Sequence, residues 1–349
     1  GILAAAGIIC KIIGILYRSP LAHVIGDEGN GYYSSAYEIY TIILLVSSYS
    51  IPSAISKVIA HRLALGQYRN ARKIFHCALM YVVVVGGAAS ILTLVFADVL
   101  VGGNSVPVLR IFAPTIFFSG ILGVLRGYFQ AHGTMVPTSF SQILEQILNA
   151  VVSILAAFLL MRMVAGQDDT TLAIYGASGS AIGTGAGVLV ALLFMLFVLA
   201  LNRRALAKQE RRDRSGELLE TGEVYRIIIT MVTPIILSTF IYNCNMEYVK
   251  GMSEADAYTR YGLFSGKAKQ ISNIPIALAS AMSTAVIPGV SGSFARKDIR
   301  ETNRKIAAAV RTTMLLSIPS AVGLAVLAKP VVLLLYPQKE SVDMVSRLL

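Results

Sequence analysis

The sequence predicts an all-α protein that crosses a membrane many times, with two helix bundles arranged as parallel repeats. Of its 349 residues, 55% are hydrophobic and 14% are charged, whereas an average soluble domain is about 25% charged. The mean hydropathy is +0.68, and apolar segments of about 20 residues, enough to cross a bilayer, recur along the whole chain. Basic residues collect in alternate loops between these segments. We therefore expect the fold to be embedded in a lipid bilayer.

The apolar segments predict nine membrane spans and the start of a tenth. Their ranges are 2–25, 32–63, 71–101, 105–131, 136–162, 171–202, 224–250, 266–294 and 304–336. Several exceed the length needed to cross a bilayer, so we expect tilting, kinking or extension beyond it. Prolines within the segments are the natural kink sites: Pro52, Pro114, Pro234, Pro275, Pro288 and Pro319.

Loop charges predict the orientation of the spans. Lysine and arginine are concentrated in the loops after the second, sixth and eighth spans, whereas the loops at 97–106 and 165–172 contain none. Because basic loops remain on the cytoplasmic side, the N-terminus is predicted to be cytoplasmic. This distribution explains the net charge of +11 without a nucleic-acid-binding surface.

A repeated motif predicts the domain organisation. The segment "IPSAISKVIAHRLALGQYRNARKI" at 51–74 is echoed by "IPGVSGSFARKDIRETNRKI" at 287–306, on spans of the same direction. We predict a six-helix N-terminal bundle at 1–202, a basic cytoplasmic linker at 203–223 that contacts anionic headgroups, and a partial C-terminal bundle at 224–349. The chain begins with Gly1 and ends as an apolar segment starts, so we expect a piece of a longer protein.

Two basic residues lie on one face of the first predicted helix. Gly7, Lys11, Gly14 and Arg18 are spaced at i, i+4, i+7 and i+11, a spacing that places them together. An ionisable group inside a span is costly unless it faces protein or water. Lys11 and Arg18 therefore either line a cavity or extend to the two membrane interfaces.

Polar stripes on the fifth and eighth spans are further candidate sites. The fifth span carries Gln142, Glu145, Gln146 and Asn149, extended by Ser139 and Ser153. The eighth span carries Gln270, Asn273, Ser280 and Thr284, with Lys267 and Lys269 at its outer end. Each stripe either lines an aqueous path or forms hydrogen bonds between helices; Glu145 favours the path for the fifth span.

Several patterns of enzymes and metal sites are absent from the sequence. The glycine-rich run at 176–187 lacks the GKS/T ending of a phosphate-binding loop, and its Gly179, Gly183 and Gly187 predict a helix-packing face instead. The four histidines and three cysteines show no metal-ligand spacing, and no GxSxG motif is present. We expect a non-enzymatic protein without a metal or cofactor.

Four segments carry a resemblance to a known family: "KIIGILYRSPLAHVIGDEGNGYYSSAYEIY", "IPSAISKVIA", "LRGYFQAHGTMVPTSFSQILEQ" and "NIPIALASAMSTAVIPGVS". Together they resemble the MOP superfamily of flippases and exporters, in the polysaccharide-biosynthesis branch that includes stage V sporulation protein B and the lipid II flippases. The resemblance covers essentially the whole chain. It implies a MATE-like fold of two six-helix bundles, of which this chain would contain the first and about half of the second.

The resemblance also implies candidate site residues in a cationic central cavity. The two basic residues on the first helix of the lipid II flippases fall on Lys11 and Arg18. Their basic residue on the eighth helix falls on or beside Gln270, where this chain offers Lys267 and Lys269, and a basic position on their second helix has no counterpart here. Arg126, in the most specific block, and Glu145 extend the set, completed by Gln142, Gln146 and Asn149.

The function implied is alternating-access transport of an undecaprenyl-pyrophosphate-linked oligosaccharide, such as a peptidoglycan precursor, across the bacterial plasma membrane. Glu38 or Glu145 would couple the cycle to protons, sodium or the membrane potential. The expected partners are this substrate and membrane lipids, without nucleic acid, and the expected state is a monomer. Two alternatives remain: a cation-coupled drug or metabolite antiporter of the same fold, and a non-transporting scaffold in envelope or spore assembly.

Overall fold

The structure, a computed structural model, describes residues 2–45, 51–211, 213, 219–230, 233, 259–260, 262–276, 279, 298–336 and 339–348. All regular elements in these ranges are helical, as predicted. The helices are α1 (Ile2–Leu44), α2 (Ile51–Ala64), α3 (Tyr68–Val95), α4 (Ala97–Leu100), α5 (Val106–Ala131), α6 (Met135–Met163), α7 (Asp169–Glu210), α8 (221–230), α9 (Ile299–Val326), α10 (Ala328–Leu335) and α11 (Lys339–Leu348). A 3₁₀ turn, Gly103–Ser105, precedes α5, and a π-helical segment, Gly262–Ala268, continues as helix to residue 276.

Five of these elements are long and apolar enough to cross a membrane. They are Tyr68–Val95, Gly103–Ala131, Met135–Met163, Asp169–Glu210 and Ile299–Val326, and they correspond to the predicted third, fourth, fifth, sixth and ninth spans. The protein is therefore a multi-pass membrane protein. Most of the predicted seventh span, much of the eighth and the start of the second repeat copy lie outside the described residues.

The first two predicted spans are joined more tightly than the sequence indicated. Predicted as a loop from 26 to 31, the connection is a single break at Gly26, whose φ of 70° and ψ of 177° interrupt α1. Asp27 and Glu28, which fall between the predicted spans 2–25 and 32–63, instead begin the second segment of α1, 27–44. Carboxylates are favourable there because the helix N-terminus carries a partial positive charge.

The predicted ninth span, 304–336, is divided into two helices. α9 ends at Val326, and α10 starts after Leu327, whose φ of −102° and ψ of 21° depart from helical values. Pro330 explains the break, since its ring would clash with the carbonyl of Val326 four residues earlier in a continuous helix. Pro114 and Pro319 lie inside helices as predicted; Pro234 and Pro288 lie outside the described residues.

α7 extends beyond its predicted end and continues into the segment predicted as a linker. Its 42 residues correspond to about 63 Å of helix, roughly twice the thickness of the hydrocarbon core. At its start the side chain of Asp168 accepts hydrogen bonds from the backbone N–H and hydroxyl of Thr171. These bonds hold the pKa of the exposed Asp168 carboxyl below its ordinary value.

The polar segment after α7 is attached to the start of α3. The backbone N–H of Leu219 donates to Asn70 Oδ1 at 2.9 Å, and Lys73 Nζ donates to the Leu219 carbonyl at 2.6 Å. Asp213 Oδ2 accepts from the backbone N–H of Arg69 at 2.6 Å. α8 then buries Val224 in the core formed by α2, α3, α5 and α7, so Asp213, Leu219 and α8 all contact the N-terminal helices.

Close contact between α6 and α7 depends on the predicted glycine face. A Cβ atom on Gly187 would lie 2.6 Å from the carbonyl oxygen of Glu145, and one on Gly179 or Gly183 would overlap the backbone of Ala157 or Ser153. These separations are too short for any larger side chain. The prediction of a helix-packing face on α7 is therefore confirmed.

We predict that Gly183→Ala will destabilise the protein by about 1–3 kcal/mol, because the added methyl group overpacks the α6–α7 contact. Gly323→Ala is the matched control, since Gly323 is also helical but a Cβ atom there would have no neighbour within 4 Å. Thermal unfolding in detergent should show a lower midpoint for Gly183→Ala only. Equal midpoints for the two variants would contradict the packing assignment.

Candidate functional site

Arg18 lies near the end of the first segment of α1 and is half-buried. Four tyrosines lie within electrostatic range of its guanidinium group: Tyr17, Tyr33, Tyr37 and Tyr336. Among the residues that the structure describes, no carboxylate pairs with it. A guanidinium cannot lose its charge in this environment, so Arg18 offers a permanent cation with a partly accessible surface.

Aromatic packing holds the tyrosines of the second α1 segment in place. Tyr33, Tyr37 and Tyr40 follow one another at i, i+4 and i+7, and all three contact the ring of Phe112 on α5. The closest pair is Tyr40 and Phe112, stacked with centroids 4.7 Å apart. Tyr33 and Tyr40 are buried, whereas Tyr37 remains partly accessible, so Tyr37 is the most accessible member of this row and lies within electrostatic range of Arg18.

The sequence analysis did not identify Tyr33, Tyr37 and Tyr40 as site residues. Their helical spacing was a usable signal, since residues at i, i+4 and i+7 share one face. The same spacing is typical of ordinary core packing, however, which is the role of Tyr33 and Tyr40 here. Proximity to Arg18 depends on how the two segments of α1 diverge at Gly26, and spacing alone does not determine that.

Arg126 and Glu145, both predicted site residues, form an ion pair between α5 and α6. Arg126 Nη2 lies 2.7 Å from Glu145 Oε2, and Arg126 Nε donates to Ser141 Oγ at 2.9 Å. The two charged side chains are 14% and 21% exposed. The pair is therefore mostly shielded, and the charge of Arg126 is balanced by Glu145 in this conformation.

The polar stripe on α6 divides into two parts. Asn149 is buried, and its Oδ1 accepts hydrogen bonds from Ser153 at 2.8 Å and from Thr184 on α7 at 3.4 Å. Tyr33 and Thr184 share a further hydrogen bond at 3.3 Å. This part of the stripe forms hydrogen bonds between helices, the alternative to an aqueous path.

The other part of the stripe retains accessible surface. Gln142, Glu145 and Gln146 are all half-buried. Gln146 Oε1 lies 3.9 Å from the position that a Cβ atom on Gly14 would take, so α6 approaches the face of α1 that also carries Arg18. This end of the stripe is the part that borders the Arg18 cluster.

Lys267 and Lys269, on the π-helical segment and just after it, each pair with an acidic residue of α1. Lys267 Nζ lies 2.6 Å from Asp27 Oδ1 and 5.5 Å from the ring centroid of Tyr336. Lys269 Nζ lies 2.8 Å from Glu38 Oε1. The lysine side chains differ sharply in accessibility, at 0% for Lys267 and 48% for Lys269.

Glycines allow the π-helical segment to approach α1 closely. A Cβ atom on Gly262 would lie 2.7 Å from the backbone N of Gly31, and one on Gly266 would overlap the side chain of Asn30. Asn30 Nδ2 also donates to the Gly262 carbonyl at 3.2 Å. Gln270, a predicted site residue, lies two residues after the end of the π-helical segment. Its Nε2 donates to the Ser265 carbonyl at 3.3 Å.

The structure therefore places several of the predicted site residues on or beside α1. Arg18 is bordered by tyrosines and by α6, and Lys267 and Lys269 contact the second segment of α1. The side chain of Lys11 lies outside the described residues, as do Ser280 and Thr284. In the described part of the chain, no group of three or more His, Cys, Asp and Glu side chains could hold a metal ion.

We predict that Arg126→Gln and Glu145→Gln will each lower stability by about 1–3 kcal/mol, since each leaves a partly buried charge without its partner. The double variant should be less unstable than the sum of the two single variants, because removing both charges leaves neither unpaired. Thermal or denaturant unfolding of all four proteins in detergent measures this coupling. Strictly additive effects would show that the pair does not stabilise the fold.

Comparison with known proteins shows that the sequence of this chain is similar to a family of membrane transporters. A family model described as "Lipid II flippase MurJ" matches residues 70–349. The Bacillus subtilis (strain 168) lipid II flippase MurJ is 24% identical over 341 residues, covering 92% of this chain and 62% of that protein. Stage V sporulation protein B of the same organism is 26% identical over 350 residues, covering 96% of this chain and 65% of the relative.

The chain thus spans slightly less than two thirds of the length of these two relatives. Solved structures of MATE transporters share its fold. An inward-facing multidrug resistance MATE family transporter of the MOP superfamily aligns with a TM-score of 0.68 at 16% identity, covering 99% of this chain and 75% of that one. A MATE in complex with MaL6 aligns with a TM-score of 0.70 at 15% identity and covers 99% and 76%. The predicted MATE-like, all-α membrane fold is confirmed.

Proposed function

Because the chain belongs to the lipid II flippase MurJ family, we propose that it moves an undecaprenyl-pyrophosphate-linked oligosaccharide across the bacterial plasma membrane. The substrate is a peptidoglycan precursor such as lipid II, and the transport mechanism is alternating access. In this proposal the protein acts as a monomer with a cytoplasmic N-terminus, in keeping with the basic loops. Family and fold are those of transporters rather than of enzymes.

The environment of Arg18 is the observation that best supports this proposal. Arg18 has a half-buried guanidinium within a membrane bundle, and no described carboxylate neutralises it. A permanent charge in such a place is costly unless it serves a ligand or contacts water. Two guanidinium N–H groups match two phosphate oxygens in a bidentate hydrogen bond, so a pyrophosphate is a chemically suitable partner.

The neighbours of Arg18 suit the remainder of such a headgroup. Tyr37 offers a partly accessible aromatic ring and hydroxyl beside the guanidinium, while Gln142 and Gln146 offer amide groups from α6. Amides and tyrosine hydroxyls both donate and accept hydrogen bonds, as recognition of sugar hydroxyls requires. Lys11, on the same helical face by spacing, would add a second cation.

The cation antiporter is less well supported by the described carboxylates. Organic cations require an accessible negative charge, yet Asp27, Glu38 and Glu145 are paired with Lys267, Lys269 and Arg126. A cation would have to displace a built-in base from each of them. Reconstituted flipping by the intact protein would also exclude the non-transporting scaffold.

We predict that Arg18→Ala will reduce flipping at least tenfold, and that Arg18→Lys will retain part of the activity because it keeps the charge but loses the bidentate geometry. The measurement is transport of a fluorescent undecaprenyl-pyrophosphate-linked saccharide by the full-length protein in proteoliposomes. Arg110→Ala is the matched control, because Arg110 also lies on a membrane helix but forms an exposed pair with Asp98.

Full activity in the Lys11→Ala, Arg18→Ala double variant would refute the assignment of this cluster as the headgroup site. Transport that falls equally in the Arg110→Ala control would indicate a general loss of folding rather than a local effect.

Glu145 is our candidate for ion coupling, since its carboxylate contacts Arg126 and lies within electrostatic range of Tyr37. We predict that Glu145→Gln will remove the response of flipping to an imposed proton or sodium gradient, measured beside the wild-type protein in the same proteoliposomes. If flipping by this variant still responds to the gradient, Glu145 is not the coupling residue.

A further inference from the structure

Glu38 occupies a position that is suited to an anionic ligand. Its Oε1 atom accepts a hydrogen bond from Lys269 Nζ at 2.8 Å and another from Ser265 Oγ at 3.0 Å. An ammonium and a hydroxyl that converge on one oxygen are a donor set that also binds a phosphate oxygen. The Glu38 carboxylate thus occupies a position at which Ser265 and Lys269 could instead hold an external anion.

The second ion pair between the same elements provides a comparison. Asp27 and Lys267 meet at 2.6 Å, but the lysine is completely buried and packs over Tyr336. Lys269 is about half exposed, and the Glu38 side chain is 21% exposed. A ligand could therefore reach Lys269 without disrupting the buried contact, whereas Lys267 is enclosed by contacts that include Asp27 and Tyr336.

Local geometry keeps the two donors together. Ser265 lies within the π-helical segment Gly262–Ala268, and its carbonyl accepts from Gln270 at 3.3 Å. π-helical turns are uncommon and occur frequently at functional sites. Here the widened turn is followed directly by Lys269, so that Ser265 and Lys269 contact the same carboxylate oxygen.

We propose that Glu38 is an internal counter-anion for a phosphate-binding position formed by Lys269 and Ser265, and that the substrate pyrophosphate exchanges with it. This inference rests on the proposed function, because it assumes an anionic headgroup. Exchange preserves charge balance at each stage: Lys269 is neutralised by Glu38 before the ligand arrives and by a phosphate oxygen afterwards. Glu38 thereby sets the affinity of the site without contributing a donor to the ligand.

The test measures binding of inorganic pyrophosphate and of undecaprenyl pyrophosphate to the full-length protein in detergent, by calorimetry or thermophoresis. Glu38→Gln should tighten binding of both probes about fivefold, since it removes a competitor in a partly exposed ion pair. Lys269→Gln should weaken binding, and Lys269→Arg should restore most of it. In the Lys269→Gln background, Glu38→Gln should have no effect, because the position for which Glu38 competes has been removed.

Asp98→Asn is the matched control and should change pyrophosphate affinity by less than twofold, because it also removes a carboxylate from an exposed ion pair, with Arg110, but on α4 and α5 rather than at the π-helical segment. The inference is overturned if Glu38→Gln leaves affinity unchanged or lowers it, or if its gain persists without the lysine at 269. A monodisperse elution profile for each variant separates these outcomes from misfolding. If the wild-type protein binds neither probe, the anionic substrate itself is refuted; if it binds both and Glu38→Gln has no effect, only the counter-anion role fails.

Discussion

Charged side chains in an apolar bundle must be neutralised or kept in contact with water, and the arrangement around α1 follows from this constraint. Its second segment supplies the carboxylates of Asp27 and Glu38, which receive Lys267 and Lys269. Arg126 and Glu145 meet the same requirement between α5 and α6. Arg18 is different, because four tyrosines lie within electrostatic range of it and, among the residues that the structure describes, no carboxylate pairs with it. Its charge is therefore left unbalanced within the described part of the chain, whereas the other three bases are each neutralised by a carboxylate.

Close helix contacts allow these pairs to form. α6 and α7 approach until the glycines of α7 touch the α6 backbone, and Gly262 and Gly266 bring the π-helical segment against α1. Without these small residues, Lys267 could not be both fully buried and within ion-pair distance of Asp27. Packing and electrostatics are therefore linked: a larger side chain at Gly262 or Gly266 would separate the charges as well as the helices.

Alternating access, if it operates here as we propose, requires contacts between α1 and the later part of the chain to form and separate. The two lysine pairs would respond differently to that motion. Breaking the buried Asp27–Lys267 pair exposes two charges that are otherwise shielded, whereas Glu38–Lys269 already borders accessible space. An anionic headgroup that replaces Glu38 on Lys269 would reduce the electrostatic cost of releasing α1.

Composition and periodicity were sufficient to predict the helical membrane fold, the spans at α3, α5, α6 and α7, and the glycine face of α7, because each depends on residues close together in sequence. Helix boundaries were less predictable. Only Gly26 departs from helical geometry at the break in α1, and the break before α10 depends on the ring of Pro330. Hydropathy averaged over 20 residues does not detect such single-residue features.

Sequence spacing by itself determined that Arg18 shares a face with Lys11, that Glu145 lies within a polar stripe, and that Lys267 and Lys269 are basic residues in an apolar context. Only the tertiary structure decided how their charges are used. It paired Arg126 with Glu145, directed Asn149 into packing against α7, and left Arg18 among tyrosines. The physical reason is that neutralisation depends on which side chains approach within about 4 Å in space, and residues such as Glu38 and Lys269 are more than 200 positions apart in the chain.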